Sequence, residues 1–166
     1  MGLKEIRLDG LTGLANRKTF DLTIREWLEE KIPFALILLD IDYFKKINDE
    51  HGHLIGDEVL MHTASQILAF SRSEDLCFRY GGEEFGILVN HGNIQTAVQM
   101  AEHLREAIAA AISPTGSPIY VSIGISVSIA GAADVKEIIE MADKALYQSK
   151  TKGRNRTTVY KKEQDG

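Results

Sequence analysis

Cysteine is all but missing from these 166 residues: Cys77 stands alone, inside the apolar run Leu76-Cys77-Phe78. No intrachain disulfide can therefore form, and no cysteine-built zinc site is available. A lone thiol within a strand pattern suits a reducing compartment, so the chain is read as cytoplasmic, or as the cytoplasmic part of a membrane-bound parent. It has no charged-then-apolar leader, and no apolar stretch nears the roughly 20 residues that cross a bilayer. Positive charge is not in excess either, since 19 Lys and Arg face 24 Asp and Glu, for a net charge of -5 and a pI near 5.5. That balance excludes a duplex nucleic-acid binder held by phosphate neutralisation and leaves a small phosphorylated ligand open. Internal repeats and low-complexity segments are absent. The length is one domain's worth, enough to bury a core without staples.

What is present begins with a turn-rich opening, Leu8-Asp9-Gly10-Leu11-Thr12-Gly13-Leu14-Ala15-Asn16-Arg17. An amphipathic pattern through Phe20, Ile24, Trp27 and Leu28 then predicts a helix of roughly fifteen residues that stops before Pro33. Phe34 to Leu39 is continuously apolar and short, the mark of a strand covered on both faces. It ends in Asp40-Ile41-Asp42. A carboxylate at the C-terminal end of a buried strand stands where α/β folds place ligands, although an acid there also caps a following helix. Tyr43 to Asn48 reads as a short helix and Asp49 to Gly56 as a loop. Asp57 then starts a helix whose apolar face is Val59, Leu60, Ala64, Ile67 and Leu68, and a simple N-cap is one reading of that acid. Farther on come a helix over Ile94–Ile112, a strand over Ile119–Val127 with one polar-lined face, a helix over Asp134–Lys150 and a closing strand at Thr157–Tyr160.

Between these lies Arg79-Tyr80-Gly81-Gly82-Glu83-Glu84-Phe85, a Gly-Gly pair between two apolar runs. The pattern predicts a tight β-hairpin with the glycines at positive φ and two adjacent carboxylates at its tip. Acids that close repel one another unless a cation or a proton intervenes. One reading is a metal with a ligand pressed against bare backbone; the other is a solvated, charged turn. The element order is helix, strand, two helices, hairpin, helix, strand, helix, strand. It predicts an α/β (α+β) fold, a single mainly antiparallel sheet of split βαβ type with helices packed on it. As sheet neighbours, the buried strand and the hairpin would bring Asp40 and Glu83 together, and a regular strand would turn only one of Glu83 and Glu84 toward Asp40.

Taken together, Asp9-Gly10-Leu11-Thr12-Gly13-Leu14, Leu39-Asp40-Ile41-Asp42-Tyr43-Phe44-Lys45, Gly56-Asp57, the hairpin run and Gly153-Arg154-Asn155-Arg156 occur in this order. The chain resembles the GGDEF-domain family of diguanylate cyclases. The likeness divides it into a linker remnant at 1–8, the domain at 9–160 and a polar tail at 161–166. It implies a fold similar to nucleotidyl cyclases and polymerase palms, and synthesis of cyclic di-GMP from two GTP across a homodimer, with no nucleic-acid polymer involved. A sensory domain in a longer parent chain is compatible with it. A non-catalytic module that binds cyclic di-GMP or GTP is the alternative.

The resemblance further implies that Asp40 and Glu83 ligate Mg²⁺ or Mn²⁺ by side chain and Ile41 by its carbonyl, with Glu84 as a further ligand or as acceptor of the hydroxyl proton. Lys45 resembles a phosphate contact that stabilises developing charge, as do Lys150 and Arg154 from the end of the last helix. Tyr43 and Phe44 offer backbone N–H groups to phosphate, and Gly81 and Gly82 the bare turn. Asn48 and Asp57 suit a guanine edge, with which a carboxylate pairs through two adjacent N–H groups, and His53 matches a position near the nucleotide. Arg72 and Asp75 resemble an RxxD product-inhibition site that Arg79 either completes or flanks.

Overall fold

The apolar run at 34–41 becomes β1 (Phe34–Ile41), a strand buried at every residue, in a computed structural model that describes residues 6–128 and 134–161. Around it follow α1 (Arg17–Glu29), α2 (Phe44–His51), α3 (His53–Phe70), β2 (Leu76–Gly81), β3 (Glu84–Asn90), α4 (Ile94–Ala110), β4 (Val121–Val127), α5 (Val135–Thr151) and β5 (Thr157–Val159). The five strands form one sheet in the order β2-β3-β1-β4-β5, antiparallel except for the β4–β5 pair. This is the element order and sheet type that the sequence predicts. Residues 1–5 of the expected linker and 162–166 of the expected tail lie outside the described residues.

Side-chain alternation along β1 makes two cores. Ala35, Ile37, Leu39 and Ile41 pack with Val59, Leu60, Ala64 and Ile67 of α3 and with Leu104 and Ile108 of α4. Phe34, Leu36 and Leu38 pack with Phe20 and Ile24 of α1 and with Ile138, Ala142 and Leu146 of α5. Asp40 is thus sent to the α1/α5 side by its even register. The polar-lined face of β4 is no solvent face but the seat of α5: Ser126 Oγ donates to the Ile138 carbonyl at 2.8 Å, and Ser149 Oγ of α5 donates to the Ile123 carbonyl at 2.7 Å. Between them Gly124 lies directly under the helix, where a Cβ would overlap the backbone at Ala142 and Leu146.

Three expectations need correction. The helix predicted from Asp57 begins at His53, and Gly52 alone separates it from α2. Gly52 adopts φ 87°, donates its N–H to the Asn48 carbonyl and accepts from Gly56 N–H, so one glycine closes one helix and opens the next. The loop expected over Asp49–Gly56 thus shrinks to a single-residue break, and Asp57 lies within the first turns of α3 rather than at its cap. The hairpin glycines are not at positive φ. The strands tighten instead through an irregularity at Tyr80, where Arg79 opposes Phe85 but Gly81 already opposes Glu84, and the turn is Gly82-Glu83. Finally, the residue facing Asp40 across the sheet is Glu84, while Glu83 meets β1 through its carbonyl, which accepts from Ile41 N–H at 3.3 Å.

Candidate active site

At the C-terminal end of β1, Asp40 is 5% exposed and stands between Glu84 of β3 and Ser122 of β4 in direct register. Directly opposed residues of an antiparallel ladder share a sheet face, so the Asp40 and Glu84 carboxylates project to the same side. Lys150, from the last turn of α5, donates its ammonium to Asp40 Oδ2. Burial pushes the Asp40 carboxyl up to about 6, against the pull of Lys150 and with the help of the Glu83 and Glu84 charges. A buried acid in a negative field, stabilised by one flexible cation, is a place where a further positive charge would be welcome.

The hairpin tip is clamped from outside. Arg79 donates to the Gly82 carbonyl at 3.1 and 2.8 Å and pairs with Asp9 at 3.2 Å. Asp9 in turn accepts from Thr12 N–H and hydroxyl at 2.9 and 2.8 Å. Although burial opposes it, these bonds and Arg79 hold the Asp9 carboxyl below its ordinary range. Thus the opening turn at 9–13 and the tip at 82–83 form one unit, and Arg79 belongs to that unit rather than to Arg72 and Asp75. Arg17 stacks 3.8 Å from the Tyr80 ring centroid and donates to the Tyr80 carbonyl, so α1 steadies the same turn. A Cβ on Gly82 would meet nothing within 4 Å, which leaves open space over the bare turn.

Asn48, His53 and Asp57 gather where α2 meets α3. His53 and Asp57 are one turn apart on α3 and exposed, hence on one face. The Asn48 amide lies against Gly56, where a Cβ would overlap its oxygen. Tyr43 has φ 57° and is 63% exposed; with Phe44 it opens α2, whose first-turn N–H groups lack intrahelical partners by geometry. Lys45 is exposed on the first turn. Arg154 follows α5 with φ 64° and places its guanidinium 4.6 Å from the Tyr43 ring centroid.

Sequence reasoning passed over Asp42, whose carboxylate accepts from Ser122 Oγ at 2.6 Å and from Asn155 N–H at 2.9 Å and lies 3.8 Å from Arg154. Its signal was its even spacing from Asp40. On the far edge of the sheet, Arg72 donates to Asp75 at 2.9 Å and to the Asn90 carbonyl at 2.7 Å, while Asp75, with no exposed side chain, also accepts Asn90 N–H at 3.0 Å. Asp75 here aims Arg72. Burial pushes the Cys77 thiol up to about 11, so no thiolate chemistry is on offer.

These features are those of a nucleotide-handling domain with paired acids at a sheet end. The family model "Diguanylate cyclase, GGDEF domain" matches residues 6–156, and the chain belongs to that family. It is 42% identical over 142 residues to Diguanylate cyclase A of Treponema denticola, covering 84% of this chain and 38% of that protein. Diguanylate cyclase VdcA of Vibrio cholerae is 36% identical over 160 residues, with 92% and 47% covered. The chain therefore spans less than half the length of these curated relatives. Among solved structures, the GGDEF domain of DgcB from Caulobacter crescentus in complex with c-di-GMP superimposes with a TM-score of 0.87 at 33% identity, covering 98% of this chain and 97% of that one. The active GGEEF domain of a diguanylate cyclase from Vibrio cholerae gives 0.84 at 34% identity, covering 90% and 99%.

Proposed function

We propose that this domain condenses two GTP into cyclic di-GMP with release of two pyrophosphates, as a homodimer in which each protomer holds one GTP. The observation that carries the reading is the Asp40–Glu84 pair, two carboxylates on one sheet face beside a bare turn, with the Lys150 ammonium already on Asp40. Among the described residues no group of three or more acids, histidines or cysteines converges as a metal cage. Two carboxylates suffice for Mg²⁺, which keeps several waters and shares its shell with substrate phosphates. The oxygen donors of Asp40 and Glu84, with Glu83 and the Ile41 carbonyl nearby, fit Mg²⁺ or Mn²⁺ on that chemistry. When bound, such an ion supplies charge neutralisation at the attacking and leaving oxygens.

The chain's own residues do the rest. In each half-reaction a 3'-hydroxyl oxygen bonds to the α-phosphorus of the facing nucleotide, the bond to pyrophosphate breaks, and a hairpin carboxylate, Glu83 or Glu84, accepts the proton. Lys45, Lys150 and Arg154 meet the developing phosphate charge, and the N–H groups of Tyr43 and Phe44 cradle it. Asn48, Asp57 and His53 read guanine; adenine would leave their polar groups unpaired, at about 1–3 kcal/mol for each buried loss. Arg72, held out by Asp75, suits a product phosphate and gives feedback inhibition.

The test is purified protein with GTP and MgCl2, followed by chromatography and pyrophosphate release. Cyclic di-GMP with two pyrophosphates per product is expected. A domain that binds GTP yet yields no dinucleotide when concentrated is a binding module instead.

A further inference from the structure

We propose that Asp42 is a positioning residue for the triphosphate, acting through Arg154; this rests on the reading above that Arg154 meets that group. The loop that carries Arg154 is unusual. Gly153, Arg154 and Asn155 have φ of 116°, 64° and 45°, three successive residues in a region that L side chains rarely adopt. Such a run persists only where its surroundings over-determine it, and here they do.

Arg154 N–H is taken by the Ser149 carbonyl at 2.9 Å, and the Arg156 carbonyl accepts from Ile123 N–H at 2.9 Å. From α4, Arg105 donates to Asn155 Oδ1 at 3.1 Å, and its own position is fixed by Glu102, which also accepts from Thr157 Oγ1 at 3.1 Å. Each of these bonds fixes the loop's backbone or flanks. Among the described residues, Asp42 alone reaches both the backbone, at Asn155 N–H, and the Arg154 guanidinium. Its carboxylate is 2% exposed and oriented by Ser122 at 2.6 Å, so it is a fixed reference at the end of β1. The 3.8 Å ion pair is loose, and the Arg154 side chain stays 34% exposed over Tyr43. Asp42 thus aims the guanidinium without consuming its donors, two residues beyond Asp40 and on the same side of the sheet. The second acid of Asp40-Ile41-Asp42 is by this account an arginine guide.

The experiment is calorimetric titration, in MgCl2, with a GTP analogue whose α,β bridge is a methylene and with GMP. Asp42→Ala is expected to weaken the triphosphate about tenfold, the value of one charge-assisted contact, and GMP less than about twofold. Arg154→Ala should lose as much, and Asp42→Ala with Arg154→Ala together no more than either alone. Asp42→Asn keeps the shape and one acceptor oxygen, and the same non-additivity in it carries the test if Asp42→Ala does not fold. Equal losses for both ligands, losses that multiply in the double variant, or unchanged affinity would overturn the proposal. If the wild type condenses GTP and one of those outcomes is seen, only this inference falls. A wild type that binds the triphosphate no tighter than GMP overturns the role of Arg154 on which it rests.

Discussion

Asp40 and Glu84 oppose one another directly across β1 and β3, on the face of the sheet that α5 covers. Two acids so placed would separate without a cation, and Lys150 supplies one from the helix above.

Replacing Asp40 by Asn therefore has opposite effects on activity and stability. Below about pH 4 the carboxyl is neutral in both folded and unfolded chains and the variant matches the wild type. Between there and about 6 the folded wild type still holds a proton that its unfolded chain has lost, so wild-type stability falls as pH rises. Above that range Asp40→Asn should be the more stable by roughly 3 kcal/mol, while cyclic di-GMP synthesis is lost. Melting curves at pH 3.5 and 7.5 beside a turnover assay check both, and retained turnover would remove Asp40 from the chemistry.

Gly56→Ala tests the guanine contact proposed for Asn48. An added methyl displaces the Asn48 amide, the far end of a flexible side chain, and alanine is the better helix former by about 1 kcal/mol. Melting should hold or rise while KM for GTP rises about tenfold, one hydrogen-bonded recognition contact. Steady-state kinetics with a parallel thermal scan decide.

Arg79→Ala frees the Gly82 carbonyl and breaks the tie to Asp9. Mispositioned tip carboxylates should cost about 10- to 100-fold in kcat with far less change in KM. Asp9→Asn should give the same pattern more weakly. A change in KM alone would place Arg79 with the nucleotide.

Arg72→Ala should keep the initial rate and relieve product inhibition, read from progress curves with added cyclic di-GMP. Asp75→Ala should relieve it too, yet also cost about 1–3 kcal/mol of stability, because Asn90 N–H and Arg72 lose their acceptor. Collapse of the initial rate in Arg72→Ala would move that pair to the catalytic surface.

The sequence made the element order legible because β1 is apolar from Phe34 to Leu39 and the long helices keep clean periodicity, as at Phe20 and Ile24 or Ile138 and Ala142. Asp40 and the hairpin acids stood out because charge interrupts apolar runs there. What stayed hidden depends on contacts between distant segments. Nothing local marks Gly56 as the floor under Asn48, Asn155 as the donor to Asp42, or Arg79 as the bolt between residues 9 and 82. The start of α3 at His53 was concealed by a glycine that serves two helices, and the Glu84 register by the irregularity at Tyr80 on the neighbouring strand.

Gly124 gives the molecule a mechanical property. With no side chain between strand and helix, α5 and the loop after it ride on β4 without slack, and β4 is zipped to the strand that bears Asp40. Anionic and cationic halves of the pocket consequently move as one solid piece. Under the proposed two-copy reaction, the lever left to a controlling stimulus is the spacing and orientation of whole copies.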